Sequence, residues 1–414
     1  MIQRAILIVV AIGVVVLPMT VVPGGADAYR LPKELVFRAE AIVLLALLIL
    51  RMRVPRAPVA RWRPEFVLAA AIVVWTVVVT ATSTNRALSV DSLLTVIAAA
   101  VIFIGTCVAL EERSLEAVDV LMIACCVNAA VTVLQELGIW TPVPATEGHY
   151  GTVGLMGNAN DVGTFLVVPA VAAVVMAVTS SGRRRWIYLG VAVLLASGLI
   201  ASATRTALVA FIGSLMVLAI LQTRRAVIAI GVLLLVVGLA VSSPATTIGR
   251  GVRELGTAAA ERDYQRLFSE RLLPFLAAAE MTRDHPLLGV GPGCFRYHFM
   301  SYRVALATKY PAQWTRGFPM NWGAVHNDHL QVAAEAGVIG LLLFLVALGV
   351  LARRSAEGER SPRALFARTL RWPLVIAIVV VCLAQFPLEL AAPRLMFLTL
   401  AAMCVTWDRT DATS

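Results

Sequence analysis

Long apolar runs separated by short polar connections dominate the chain. Twelve runs are each near the roughly 20 residues that a helix needs to cross a bilayer. They lie at residues 4–22, 35–50, 66–82, 90–110, 116–138, 159–179, 186–203, 206–222, 226–243, 331–352, 371–387 and 390–406. The pattern predicts an all-α polytopic membrane protein with about 12 transmembrane helices. The connections near residues 204 and 388 predict tight hairpins.

Composition and charge support this class. The chain has 414 residues, of which 59% are hydrophobic and 14% are charged. A soluble domain has about 25% charged residues, so a soluble globular enzyme is excluded. The net charge is +10. The basic residues are scattered between apolar runs rather than gathered on one surface, which argues against nucleic acid binding.

Arginine and lysine in the short connections predict the orientation in the membrane. Nineteen of these residues fall on one side of the twelve runs and six on the other, leaving out the one long connection. Because basic residues concentrate in cytoplasmic loops, both termini are predicted to be cytoplasmic.

The long connection, residues 244–325, faces outward in this topology. It contains 11 of the 29 aromatic residues, which is not the composition of a disordered linker. Residues 266–281 have helical spacing, and residues 284–293 are rich in turn formers. We therefore expect a single integral membrane domain, residues 1–414, that carries a partly helical extracytoplasmic cap.

Two polar segments interrupt the apolar runs on the predicted outer side. The first is Gly-Leu-Met-Gly-Asn-Ala-Asn-Asp at 154–161. It is either a turn with a helix N-cap from Asn160 or Asp161, or a set of polar contacts to a sugar or phosphate. The second is Ser-Ala-Thr-Arg-Thr-Ala at 202–207. Arg205 there either reaches the interface or serves function, since arginine at membrane depth is costly.

Two further segments contain candidate chemistry. Arg271 precedes a glycine-rich stretch at 284–293, which is no P-loop because no Gly-Lys-Ser/Thr follows. His326 and His329 are three residues apart, so both could face one side of a helix. A general base, a metal site and simple capping by Asn327 or Asp328 are the alternatives. No Asp-x-Asp, Gly-x-Ser-x-Gly or ATP-binding motif occurs.

Together the four segments resemble the O-antigen ligase and O-antigen polymerase superfamily, in order and spacing. Residues 157–160 resemble its Gly-Asn-Pro-Asn turn, with Ala159 where proline is usual, and residues 202–206 resemble its Ser-x-Ser-Arg-Thr hairpin. Arg271 precedes His-Pro-Leu-Leu-Gly-Val-Gly-Pro-Gly, as an arginine does in that family. Residues 326–337 resemble its His-Asn-x-x-Leu-Gln…Glu-x-Gly run. The resemblance covers residues 155–345.

The resemblance implies a metal-independent glycosyltransferase of the C-type membrane fold, without a cofactor. Such an enzyme takes a glycan from undecaprenyl pyrophosphate on the outer face of the bacterial inner membrane. Arg205 and Arg271 would bind the pyrophosphate, and His326 would remove a proton from the acceptor hydroxyl. The supporting residues would be Asn158, Asn160, Asn327 and Glu335.

The sequence leaves three functions open. The first is a ligase that moves the glycan onto lipid A–core or a similar acceptor. The second is a polymerase that uses another lipid-linked glycan as the acceptor. The third is a transporter of lipid-linked oligosaccharides, which would more often show internal repeats and broken helices in matching halves.

Overall fold

The computed structural model describes most of the chain. The described residues are 2–25, 27–53, 63–111, 115–141, 152–221, 246–315, 321–353 and 361–410, with single positions between 231 and 243. Every regular element in this described part is a helix. The predicted all-α class is therefore confirmed.

The first half of the described chain is a series of long helices. They are α1 (Ile2–Met19), α2 (Arg30–Met52), α3 (Pro64–Thr82), α4 (Arg86–Leu110), α5 (Glu116–Glu136), α6 (Ala159–Thr179), α7 (Gly182–Ala201) and α8 (Arg205–Leu221). The second predicted span, 35–50, is longer than expected, since α2 has 23 residues. Its N-terminal end contains charged side chains that hydropathy alone does not place in a helix.

The long connection contains shorter helices. They are α9 (Thr247–Ala260), α10 (Tyr264–Leu267), α11 (Leu272–Asp284), α12 (Phe295–Lys309) and α13 (Ala312–Thr315). The single helix predicted over residues 266–281 is wrong in detail. A turn separates α10 from α11, because Ser269 and Glu270 adopt left-handed backbone angles that no helix can contain.

Three helices complete the chain: α14 (Asp328–Ala352), α15 (Pro362–Cys382) and α16 (Ala391–Thr410). The span predicted at 371–387 is wrong in its bounds, since α15 begins and ends earlier. Arg368 and Arg371 lie inside α15, where both pair with Asp408 of α16 at 2.7 and 2.8 Å. Charged side chains can be buried when they are paired, so the two arginines lie within the helix although their polarity suggests that it begins after them.

The connection between α15 and α16 is not the tight hairpin predicted near residue 388. It has eight residues and contains a 3-10 turn, Pro387–Glu389. This difference matters because the connection contributes to the candidate site described below.

Helix α6 lies at the centre of the bundle. Every residue from 161 to 177 is buried, and α6 packs against α5, α7, α8, α15 and α16. Phe165 of α6, Phe211 of α8, Phe366 of α15 and Trp407 of α16 are fully buried in this core. The N-terminus of α6 is thereby held in a fixed position at one end of the bundle.

Eight described helices are long and apolar enough to cross a membrane: α1, α3, α4, α5, α6, α7, α14 and α15. The predicted spans 35–50, 206–222 and 390–406 coincide with α2, α8 and α16, which are not among those eight. The predicted span 226–243 lies mostly outside the described residues. The chain is thus a polytopic membrane protein, while the number of twelve spans stays a prediction.

Candidate active site

The N-terminus of α6 and the hairpin before α8 pack against each other. Asn158 is the N-cap of α6, and its side chain accepts a hydrogen bond of 2.9 Å from the Asn160 backbone N–H. The prediction that Asn160 or Asp161 provides this cap is wrong. The Thr204 hydroxyl donates to the Ala159 carbonyl at 2.8 Å, and Gly163 provides the space that Thr204 occupies. The first two sequence motifs therefore form one structural unit.

Arg205 extends from this hairpin toward the cap. Its guanidinium donates to the Gly251 carbonyl at 3.3 Å and to the Ser269 hydroxyl at 3.0 Å. Ser269 belongs to the left-handed turn that precedes Arg271. The side chain of Arg271 in turn donates to the Ala384 carbonyl in the connection between α15 and α16. Two arginines that are 66 positions apart in the sequence are thus held beside one turn.

The guanidinium group of Arg205 is close enough for its charge to act on Arg271. Burial, followed by the positive charge of Arg205, lowers the pKa of Arg271 to about 10. Two mutually repelling cations at a partly buried position are stabilised by an anion that lies between them. Their arrangement therefore favours a ligand with more than one negative charge.

His326 lies directly before α14, in a strained conformation. Its φ angle is 60°, which is uncommon for a residue other than glycine. The imidazole packs edge-on against Phe386 at 4.4 Å and Trp322 at 5.3 Å between ring centres. Its Nδ1 atom is buried without a hydrogen-bond partner among the described residues. Strain and an unpartnered polar atom together are typical of a functional side chain.

Burial and two arginines keep His326 neutral. Burial, followed by the positive charges of Arg271 and Arg30, lowers the pKa of His326 to about 2. The neutral imidazole has a lone pair that can accept a proton. Binding an anion at the arginines would offset their charge and would make His326 a stronger base.

His329 does not share a face with His326, so the prediction that both lie on one side of a helix is wrong. Helix α14 begins at Asp328, and the left-handed His326 precedes it. The ring of His329 lies against Phe344, and its Nε2 atom is 3.3 Å from the Val379 carbonyl, which fits a structural hydrogen bond. Among the described residues, no three His, Cys, Asp or Glu side chains gather as metal ligands.

Asn327 caps α14 by accepting a hydrogen bond of 3.0 Å from the Leu330 N–H. This confirms one of the two predicted caps. The other residue, Asp328, accepts instead from the Leu388 N–H at 3.0 Å. The start of α14 is therefore fixed both locally and to the connection between α15 and α16.

A kink in α14 explains the glycine-rich stretch at 284–293. Gly337 has φ 69° and ψ −178°, so the helix is interrupted there. The freed groups bond to the stretch instead: the Val338 N–H donates to the Pro286 carbonyl, while the carbonyls of residues 334 and 335 accept from the backbone N–H groups of residues 290 and 291. The stretch thus replaces the hydrogen bonds that the kink removes.

Glu335 attaches the cap to α14. Its carboxylate accepts from the backbone N–H groups of Gly293 and Phe295 at 2.8 and 3.0 Å, at the start of α12. The residue is buried, and it also lines the cavity described below. Its contacts indicate a positioning role for the cap that contains Arg271.

None of the sequence motifs indicates that the connection between α15 and α16 belongs to the site, although it lies at the centre of the site. Its Gln385 side chain donates to the Asn160 side-chain carbonyl at 3.4 Å, and Phe386 contacts His326. Glu389 accepts from the Gln331 side chain at 3.1 Å. Its polar residues around Pro387, between two apolar spans, were the signal that could have identified it.

Arg30 was also missed as a site residue. It is at the first turn of α2, forms an ion pair with Asp161, and lies 5.3 Å from the centre of the Phe386 ring. In the sequence Arg30 contributes only to the charge balance of the connections. Its position in a short connection on the side that is poor in arginine could have identified it.

A cavity of about 890 Å³ opens beside His326. Its polar end is lined by Arg30, Asn158, His326 and Glu335. It continues between α3, α4, α14 and α16, where most of the lining is apolar and Glu65 and Thr76 are exceptions. Arg205 and Arg271 do not line it, although the charge of Arg271 acts on His326. Asn160 and Asn327 support the site through backbone and side-chain bonds without lining the cavity.

These features define a polytopic helical membrane protein with a charged site, centred on a neutral histidine, at one end of its bundle. Residues 190–345 match the family model of the O-antigen ligase. The matched region contains Arg205, Arg271 and His326, so the resemblance indicated by the sequence motifs is confirmed for this part of the chain. No curated protein matches the chain.

Proposed function

We propose that the protein transfers a glycan from undecaprenyl pyrophosphate to an acceptor hydroxyl on the outer face of the bacterial inner membrane. The acceptor would be lipid A–core or a similar molecule. The observation that carries this proposal is the position of His326, which lines a cavity of about 890 Å³ and lies within the electrostatic influence of Arg271.

In this reaction Arg205 and Arg271 bind the pyrophosphate. The acceptor oxygen forms a bond to the anomeric carbon, and the bond from that carbon to the pyrophosphate oxygen breaks. The acceptor proton moves to His326, and the leaving pyrophosphate keeps the electron pair. Guanidinium groups stabilise the charge that develops on this oxygen, so no metal ion is required.

The orientation proposed for the protein places both termini in the cytoplasm. The predicted outer segments gather at one end of the bundle, where Arg30, Asn158, Arg205, Arg271 and His326 lie. Residues 244–325 then form an extracytoplasmic cap over the site, and twelve helices cross the membrane. A site on this side meets a glycan that has already been moved outward.

A polymerase reaction is the second candidate. It is favoured by one observation: the cavity beside His326 continues into an apolar space, which suits an acceptor whose sugar is close to its lipid. A transporter would need two alternating states, whereas the strained His326 and the two cations beside it are suited to chemistry.

The test is transfer by the purified protein from a lipid-linked donor, with lipid A–core or a second donor molecule as the acceptor. Product with lipid A–core supports a ligase, and elongated lipid-linked glycan supports a polymerase. Transfer should persist in EDTA. Activity that is lost with the chelator and restored by magnesium or manganese would contradict the metal-independent mechanism.

A further inference from the structure

Lys33 is a buried cation at the polar end of the cavity beside His326. It lies in the first turn of α2, outside the predicted span 35–50, and is only 4% exposed. Its Nζ atom donates hydrogen bonds to the backbone carbonyls of Thr20, Tyr29 and Leu155 at 2.7, 3.3 and 2.8 Å. The three donors of one ammonium group are thus matched by three acceptors.

The three carbonyls belong to three separate segments. Thr20 follows the last residue of α1, and Tyr29 directly precedes α2. Leu155 lies in the turn before α6, 122 positions from Lys33. The lysine therefore joins the connection between α1 and α2 to the turn that leads into the central helix of the bundle.

Tyr29 packs against the same turn. Gly157 has φ 81°, and a Cβ added there would lie 2.5 Å from the Tyr29 ring. The fully buried Tyr29 thus occupies space that only a glycine leaves. Asn158, the next residue, lines the cavity and caps α6. The contacts of Lys33 and Tyr29 therefore determine where Asn158 lies.

The turn also affects His326, through the start of α6. Asp161, in the first turn of α6, pairs with Arg30. Arg30 lies over the Phe386 ring, and this ring packs against His326. A shift of the turn would move the N-terminus of α6 and, with it, this series of contacts. Lys33 is thereby linked to the geometry around the proposed base.

Only the protonated lysine can serve all three carbonyls. An ammonium group has three N–H donors and the neutral amine has two, so loss of the proton releases one carbonyl. Asp27 and Asp161 face the lysine, and Arg30 and Glu34 lie beside it on α2 in ion pairs of their own. Burial lowers the pKa of Lys33 to about 8, although the charges of Asp27 and Asp161 act in the opposite direction.

We propose that Lys33 is a positioning residue for glycan transfer, whose charged ammonium group holds the turn before α6 so that Asn158 and the contacts of His326 keep their active arrangement. This inference rests on the proposed function, because it concerns the reaction at His326. It makes transfer depend on the proton of a group that takes no part in the proposed chemistry. Transfer should therefore fall as the pH rises through about 8.

The small number of lysines makes a direct measurement possible. Lys33 and Lys309 are the only two in the chain, and Lys309 pairs with Glu280 at a partly exposed position on the cap. In the Lys309→Arg variant, isotope-labelled lysine gives a single side-chain NMR signal, from Lys33. The Cε shift of this signal should titrate with a midpoint near pH 8 in detergent, well below the value of about 10.4 for a solvated lysine.

The alkaline limb of kcat/KM is then compared among three variants. In Lys309→Arg, as in the unmutated protein, kcat/KM should fall about tenfold from pH 7 to pH 9, because about a tenth of the lysine keeps its proton one pH unit above its pKa. Lys33→Arg keeps its charge at pH 9 and should not show this fall. Lys33→Met keeps the apolar stem without the donors, so its transfer should be low and equal at both pH values.

Unfolding should not imitate this result. The pKa of Lys33 is lowered in the folded protein, so between about pH 8 and 10 the unfolded chain binds more protons at this group than the folded chain does. The contribution of this group to stability therefore rises with pH in that window. Thermal unfolding of the Lys309→Arg variant at pH 9 should show a folded protein whose transfer is slow.

The outcomes separate the role of Lys33 from the proposed function. A rate that is constant from pH 7 to pH 9, or a fall that persists unchanged in Lys33→Arg, would overturn the role of Lys33 while the function stands. A Lys33 signal that titrates above about pH 10 would also overturn it, even if both Lys33 variants failed to fold. If the unmutated protein transfers no glycan at any pH, the proposed function itself fails, and the positioning role fails with it.

Discussion

Arg30 and Asp161 form an ion pair that joins the start of α2 to the first turn of α6. The Nε and Nη2 atoms of Arg30 donate to the two carboxylate oxygens at 2.9 and 3.2 Å. This side-on geometry holds the guanidinium over Phe386, which also packs against His326. Arg30 is thereby fixed where its charge acts on the proposed base.

This relationship predicts a pH effect. The pKa of His326 is lowered, so the group is neutral above about pH 2 and its protonation should not limit kcat/KM between about pH 5 and 7. Arg30→Gln removes one of the two positive charges that lower this pKa, so the pKa should rise. The loss of activity on acidification should then begin at higher pH. The measurement is the pH profile of kcat/KM for the acceptor.

Arg38→Gln is the control for this prediction. Arg38 lines the same cavity, but its charge is not among the causes of the shift at His326. An equal shift of the acid limb in both variants would show that the general field of the cavity is responsible. Arg30 would then lose its assigned role.

Removal of the proposed base should separate binding from chemistry. His326→Ala should abolish transfer and leave donor binding intact, because the base acts on the acceptor and not on the pyrophosphate. His329→Ala is a matched control, since His329 packs behind Phe344 and does not itself line the cavity. Turnover and donor binding of both variants are measured side by side. Near-normal turnover by His326→Ala would remove His326 from the mechanism.

The two arginines should affect both donor binding and rate. Arg205→Ala and Arg271→Ala should each reduce transfer by about 10²–10³, the usual cost of losing one group that stabilises a developing oxyanion. Lysine should rescue poorly, because it lacks the planar fork of donors. Arg283→Ala, at an exposed position on α11, should behave like the unmutated protein. Good rescue by lysine would show that charge alone is sufficient.

The sequence identified the site through local motifs and missed its long-range partners. Arg205, Arg271 and His326 were found because each lies in a recognisable short segment. Arg30 and Asp161 are 131 positions apart, and neither segment alone indicates their pairing. Phe386 lies in a connection that hydropathy treated as a tight hairpin. Such contacts depend on how helices pack, which apolar periodicity does not specify.

The helix boundaries show the same limit. Hydropathy began the span at Arg371, but α15 already begins at Pro362, because Asp408 pairs with the buried Arg371. The left-handed turn at Ser269 was invisible because neither serine nor glutamate marks such angles. The kink at Gly337 was present in the quoted Glu-x-Gly motif, yet only the structure shows what that glycine does.

The orientation of the protein can be tested by labelling engineered cysteines with an impermeant maleimide. A cysteine at Arg283 on the cap should react in intact spheroplasts. A cysteine at Arg4, near the N-terminus, should react only after the membrane is opened. Both positions are exposed in the structure, so burial does not confound the comparison. Labelling in the opposite order would invert the topology.

The kink in α14 gives a prediction about stability and activity. At Gly337 an added Cβ would lie 1.9 Å from the Leu287 carbonyl oxygen, and the left-handed φ is unfavourable for alanine. Gly337→Ala should therefore lower the free energy of unfolding by about 1–3 kcal/mol or more. It should also slow transfer, because the stretch that bonds to the kink precedes α12 and fixes the cap containing Arg271.

Gly349→Ala, on the same helix and facing open space, should be neutral or slightly stabilising. Thermal unfolding in detergent measures both variants, and equal melting temperatures would show that α14 does not depend on glycine for its kink.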